Sequence, residues 1–447
     1  MPNAIRWSPR SLALAAVVVS FAAILVIGGW NAAKYPITLG YDYNSNADYM
    51  HVVLTDHRLP HADETAEANQ PPLYYLVGGL AARAGHAVFG WDEEPTTDLP
   101  EHSYRGAQIL NVVFVLLTAL LLFALARLAA PDAPVVWASA LAFFAFLPVV
   151  SKTEAMLHAE TMNMLLSTAA VVLTMRIVTS EFRLSLFLLL LVDLAADLAT
   201  RASAIFTVAA VALALAVAFV PRIDLRTLAR RAVPIAAVLI AIVGAGVWFH
   251  QGAHIGTLAS IGAPGVPGAK THFFDLPVKA LFETPFRTHY TNAAFAITYT
   301  EIWGDWLGSF AWSTFLGSPT GTTLAALKDQ SWIGVIPTAL ALVGYGFLVA
   351  LAVRVRRDLL AAALVPPIAI AGYLIRSYEH LSPDGDVFKA SYILTTAPIW
   401  ALCFGLAFWK LGRFRIVQVG VGCALAVFAV LELRFVMFGL RYGHPVF

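Results

Sequence analysis

Apolar runs of about twenty residues recur along the whole chain, and nothing else in the sequence constrains the fold as strongly. The first, from Ser11 to Trp30, reads SLALAAVVVSFAAILVIGGW. A run of that length matches the thickness of a bilayer. Inside a bilayer only a helix or a closed barrel satisfies its own backbone amides. The 447 residues are 59% hydrophobic and 13% charged, with mean hydropathy +0.73. A soluble chain carries about twice that charged share. The expected fold class is therefore an all-α polytopic membrane protein, with residues 1–447 forming a single transmembrane domain.

Hydropathy places about eleven spans, over 11–30, 106–126, 134–150, 160–176, 184–199, 203–220, 232–249, 332–352, 359–375, 390–409 and 416–438. The stretch 72–90, PLYYLVGGLAARAGHAVFG, is short and glycine-rich, and reads as an interfacial or re-entrant helix opened by a proline pair. Gly28-Gly29-Trp30 is a poor cleavage site, which predicts that the first apolar run is retained as a span. The two cysteines, Cys403 and Cys423, both fall in apolar runs, which argues against a structural disulfide.

Basic residues set the expected orientation. Arg6, Arg10, Arg176, Arg183, Arg222, Arg226, Arg230, Arg231, Arg354, Arg356, Arg357, Lys410, Arg413 and Arg415 cluster at alternate span ends. By the positive-inside rule these ends are cytoplasmic. The expectation is a multi-pass protein of the cytoplasmic (inner) membrane with its N-terminus inside. Two long polar stretches, 31–105 and 251–331, then become extracytoplasmic loops. A net charge of +1 gives no support to a nucleic-acid partner. Walker, GxGxxG and HExxH patterns are absent, which leaves nucleotide-driven transport and zinc proteolysis without a motif.

The first loop, GYDYNSNADYMHVVLTDHRLP, is where chemistry concentrates. Asp42 lies between Tyr41 and Tyr43, with Asp48 and Tyr49 close behind. Carboxylates at a membrane surface without a neighbouring lysine need a reason to persist, and partial burial makes a carboxylate a better general base. Asp56, Asp63 and Glu64 read as a solvated loop.

With EANQPPLYYLVGGL following it, this loop resembles the first outer loop of the GT-C superfamily of membrane glycosyltransferases. The likeness is to the branch of protein mannosyltransferase-like and aminoarabinose-transferase-like enzymes. LPVVSKTEAMLHAETMNMLLSTAAVVLTMR, LATRASAIFTVAAVALAL and DGDVFKASYILTTAPIWAL are similar to later segments of that branch. Tyr43 stands where many relatives carry the second acid of a pair, and Asn46 where some carry His. No cofactor is certain from this, and a divalent cation, Mg2+ or Mn2+, stays open. The resemblance implies a polyprenyl-phosphate-linked sugar donor, a lipid, glycan or protein acceptor outside the membrane, and contact with membrane lipids. It also implies a GT-C-like bundle with Asp42 as the catalytic base.

Substrate-binding candidates on that reading are Asp48, Glu67, Gln70, Tyr74 and Tyr75 in the first loop. Lys152, Arg201, Arg376 and Lys389 would neutralise the departing phosphate. Arg201 could equally pair with Asp197 one helical turn earlier. Lys389 could be an interfacial snorkel. Glu160 opens a span, where an acid suits the helix dipole or could hold an acceptor. His158 and His51 lack a partner at zinc-ligand spacing. In TYTEIWGDWLGSFAWSTF, Trp303, Trp306 and Trp312 with the acids Glu301 and Asp305 could hold a sugar ring, or the tryptophans could belong to an interfacial belt. Two competing classes remain. One is a flippase or polysaccharide ligase or polymerase that handles polyprenyl-linked glycans. The other is a secondary transporter, which would place charges near mid-span.

Overall fold

A computed structural model describes residues 9–35, 37, 40–90, 104–180, 183–219, 269–286, 289–290, 292–304, 321–381, 388–412 and scattered positions from 414 to 430. Among the described residues the chain is helical, with no strand. The helices are α1 (Pro9–Lys34), α2 (Tyr43–Thr55), α3 (Leu73–Phe89), α4 (Arg105–Ala129), α5 (Pro134–Ala145), α6 (Pro148–Ala155) and α7 (Glu160–Thr179). After them come α8 (Leu184–Thr200), α9 (Ala204–Phe219), α10 (Val278–Glu283), α11 (Ala294–Trp303), α12 (Gly321–Arg354), α13 (Leu360–Glu379) and α14 (Ala397–Leu411). A 3-10 turn, Ala390–Thr396, leads into α14.

Helices occupy the expected span positions among the described residues, but the count of about eleven is not reached. Among the described residues, six helices are long and apolar enough to cross a membrane, or seven if the bent pair α5–α6 is one span. The helices α8 and α9 are only 17 and 16 residues long. The span expected at 232–249 and the end of the one at 416–438 lie outside the described residues. In the other direction, α12 runs 34 residues from Gly321, well ahead of the expected start at 332. At 1.5 Å per residue that is about 51 Å, longer than the hydrocarbon core it could cross.

The α5–α6 bend has a local cause. Pro148 opens α6 and cannot donate back to α5, so Leu147 before it turns extended (φ −82, ψ 112) and the axes diverge by 51°. This break turns α6, with Lys152 and Glu154, out of the line of α5.

Nearly every residue of α5 from Val136 is buried, as expected for a helix that is apolar all round. It packs on α1 and α14, and α14 packs on α12. Val136, Leu141 and Phe144 meet Leu402, Phe404 and Ala407 of α14 in this core. A Cβ at Gly344 of α12 would overlap the carbonyl of Cys403 in α14, so the glycine is what lets those two backbones approach. Both cysteines are free.

The stretch 72–90 is a helix, α3, capped by Pro72 as the proline pair suggests. It buries Tyr74, Tyr75, Gly78 and Ala82, and exposes Leu76, Leu80, Val88 and Phe89.

The helices leave the bundle with two different ends. Arg127, Arg176, Arg354 and Lys410 lie in the last turns of α4, α7, α12 and α14. There Arg356 donates from Nη2 to the Leu128 carbonyl (2.9 Å) and pairs with Asp358. At the other end come together the turn before α2, the end of α6, the start of α7, the end of α8 and the 3-10 turn. That is the Asp42 end.

Candidate active site

Asp42 precedes α2 in the left-handed region (φ 53, ψ 26), a conformation that a short polar side chain tolerates best among non-glycine residues. The turn aims its carboxylate at Lys389, whose Nζ donates to Oδ1 at 2.8 Å and to Oδ2 at 2.7 Å. The Lys389 side chain is 4% exposed and that of Asp42 20%. Burial pushes the Asp42 carboxyl upward, but the Lys389 ammonium outweighs it and holds the group below its usual value. Lys389 is no snorkel, because its ammonium is turned inward onto a carboxylate.

A second chain of polar contacts runs behind this pair. Lys152 of α6 donates from Nζ to Tyr41 Oη (2.9 Å), and Tyr41 Oη donates to Glu301 Oε1 (3.2 Å). The other oxygen of Glu301, Oε2, accepts the backbone N–H of Ala390. Lys152 and Lys389 also approach the Tyr41 ring, at 4.9 and 5.6 Å from its centroid.

Arg201 ends α8 with an extended backbone (φ −152, ψ 137), and this removes the helical spacing that would have paired it with Asp197. Instead Nε donates to Glu160 Oε1 (2.8 Å) and Nη1 reaches Glu67 Oε2 (3.5 Å). Asp197 is held by Asn163 Nδ2 (2.9 Å) and Ser167 Oγ (2.8 Å). Burial raises the Glu67 carboxyl against the downward pull of Arg201. The Arg201 guanidinium lies 5.4 Å from the Tyr392 ring centroid and Lys389 Nζ 5.8 Å from it, so one partly exposed ring carries two cations.

His158, 2% exposed, sits within electrostatic reach of Arg201, Asp42, Lys389 and Lys152. Burial, reinforced by Arg201, pushes it down to about 3, so the imidazole is neutral. Its Nδ1 has no hydrogen-bond partner among the described residues.

The structure thus gathers Asp42, Glu67, Lys152, Glu160, Arg201 and Lys389 at one place. Tyr74 and Tyr75 stand behind them as framework. Tyr75 stacks on Tyr49 (3.8 Å) and donates to Asn46 Oδ1 (2.9 Å), while Tyr74 Oη accepts from Asn111 (3.2 Å). Gln70 contributes its backbone carbonyl, which accepts from Tyr49 Oη (3.0 Å). Three candidates stand apart. Asp48 and Arg376 are exposed, and Trp303 is buried with Nε1 donating to Thr338 Oγ1 (3.0 Å). Asp305 lies outside the described residues. The sequence reading did not count Tyr392, set His158 aside for want of a zinc-ligand partner, and read Glu301 only as an acid that could hold a sugar ring beside the tryptophans.

A divalent cation does not fit this donor set. Both Asp42 oxygens face an ammonium, and the described residues hold no group of three or more His, Cys, Asp or Glu that could hold a metal ion.

Beside the cluster lies an apolar cavity of about 360 Å3. Phe143, Tyr299, Leu342, Leu374 and Trp400 wall it, Trp303 contributes, and Ala390 brings it next to Lys389.

No protein-family model matches the chain, and no curated protein matches it. Solved structures do. The oligosaccharyltransferase of Archaeoglobus fulgidus in its apo form aligns with a TM-score of 0.50 at 12% identity, over 96% of this chain and 55% of that one. ArnT from Cupriavidus metallidurans, bound to undecaprenyl phosphate, gives 0.47 at 14% identity over 90% of this chain and 60% of that one. The archaeal enzyme AglB, with an inhibitory peptide and a dolichol-phosphate, gives 0.49 at 13%. The chain shares the fold of the archaeal oligosaccharyltransferase. It spans only 55–60% of the length of these solved proteins.

Proposed function

We propose that the chain is a membrane glycosyltransferase that takes a hexosyl or pentosyl group from a polyprenyl-phosphate carrier and passes it to a lipid, glycan or protein acceptor. The observation that carries the reading is the juxtaposition of Asp42 with three buried cations, Lys152, Arg201 and Lys389, beside a largely apolar cavity. A phosphate head next to a long hydrocarbon tail matches both halves of that arrangement, and the GT-C fold makes lipid-linked sugars the first substrates to test.

In the reaction the acceptor oxygen attacks the anomeric carbon while its proton passes to an Asp42 oxygen. The bond from the anomeric carbon to the phosphate oxygen breaks, and the phosphate leaves with the electron pair. Lys152, Arg201 and Lys389 stabilise the charge that develops there in a site screened from water. The hold of Lys389 on Asp42 keeps the carboxylate ionised, and so able to take a proton, throughout the neutral range. The positive-inside rule supports a cytoplasmic arginine end, with the Asp42 end at the opposite face of the cytoplasmic membrane.

Mass spectrometry of lipid and glycan fractions, from cells with and without the protein, tests the reading. A sugar present only with the protein, and lost with Asp42→Asn, is the expected result. Identical fractions from both cells would end the proposal.

A further inference from the structure

Glu301 is fully buried on α11, in the second long loop and more than 250 residues from Asp42, yet its carboxylate touches both arms of the site. One oxygen accepts from Tyr41 Oη, which in turn holds Lys152. The other accepts the N–H of Ala390, the residue that follows Lys389. A carboxylate has two acceptor oxygens and no donor, so it can serve two donors from opposite directions at once. No other residue type of that length does so. Each partner also restricts a cation. Fixing Ala390 fixes the extended backbone at Lys389, from which the side chain reaches Asp42, and fixing the Tyr41 hydroxyl fixes the acceptor on which the Lys152 ammonium rests.

From this geometry we infer that Glu301 is the positioning residue of the site, setting the two lysines at their working separation around Asp42. It makes no contact with Asp42 and is not assigned a place on the substrate. The inference rests on the glycosyltransferase reading for its purpose, but the linkage it describes is independent of any reaction.

The test reads the lysines directly. Purified full-length protein in detergent is treated with an amine-acylating reagent, and modification of Lys152 and Lys389 is quantified by mass spectrometry against exposed Lys279. Glu301→Met keeps the volume and removes both acceptors. Losing a hydrogen-bonded charged partner predicts a rise in labelling of about ten-fold at both lysines. Tyr41→Phe removes only the hydroxyl link, so it should raise Lys152 and leave Lys389 unchanged. Tyr345→Phe removes a buried hydrogen bond to the Ala363 carbonyl elsewhere in the bundle and should change neither. Unchanged labelling in Glu301→Met would overturn the inference. So would an equal rise in Tyr345→Phe, which would mean general loosening. Should Glu301→Met not fold, Glu301→Leu carries the test. It also removes both acceptors in a similar volume, and a gain in labelling at neither lysine overturns the linkage.

Transfer activity supplies the second arm. If labelling follows the expected pattern while the wild type moves no sugar, the linkage stands and the functional reading falls. In an active enzyme, Glu301→Met should lose turnover and shift the acid limb of the pH profile upward as Lys389 loosens from Asp42.

Discussion

The two ends of this bundle use the same chemistry for opposite purposes. At the arginine end, Arg354 and Arg357 are exposed, and the pair of Arg356 with Asp358 leaves the arginine about a third exposed. At the Asp42 end, Lys152, Glu154, Glu160, Arg201, Glu301 and Lys389 are each at most 6% exposed. Burying charge costs several kcal/mol per ion unless partners are in place, so a bundle that only had to fold would resemble its arginine end throughout. The contrast makes the Asp42 end the place to look for a ligand.

Substitutions can break or sharpen that contrast. The largest effect belongs to Asp42→Asn, which removes the proton acceptor and should lower transfer by about a hundred-fold or more with expression and detergent behaviour unchanged. Next comes Arg201→Ala. It leaves Glu160 buried without its cation and should cost about 3–5 kcal/mol in a denaturation measurement, besides weakening donor use. The matching change at the other end, Arg356→Ala, should cost about 1 kcal/mol or less. Equal losses would erase the distinction between the ends.

The third effect is a shift with pH. Because Asp42 titrates lower in the folded protein than its usual value, its pair with Lys389 contributes stability above the ordinary carboxylate range. That contribution is lost as pH falls through the depressed value. Lys389→Met removes the downward pull while burial stays, so the acid limb of transfer should move to higher pH. A limb that stays in place would separate Asp42 from the titration. The smallest effect is expected from Tyr75→Phe, which gives up one hydrogen bond to Asn46 and should cost about 1 kcal/mol of stability with little change in turnover.

The sequence showed the spans and the cationic candidates unevenly, for physical reasons. Hydropathy found the helices because burial in lipid demands long apolar runs, and the proline pair marked the start of α3. Periodicity could not see that α12 begins at Gly321, because its first turns, GTTLAALKDQ, read as polar loop. Asp42, Arg201 and Lys389 stood out as candidates by their positions at span ends. Their partners could not, since Lys389 meets Asp42 across 347 residues and Arg201 meets Glu160 across 41. The pairing of Arg201 with Asp197 failed as an expectation because the helix stops one residue before the arginine. The bridging contacts of Glu301 stayed hidden because a carboxylate that joins a phenol and a backbone amide leaves no spacing pattern.

The walls of the apolar cavity have one more consequence. They carry almost no polar group along their length, so they offer no marker by which a tail could be measured. A site built this way discriminates at the head and ignores how far the hydrocarbon continues. Carriers of different isoprenoid number should therefore compete on nearly equal terms, while a soluble nucleotide sugar, with nothing to fill the greasy half, should not compete at all.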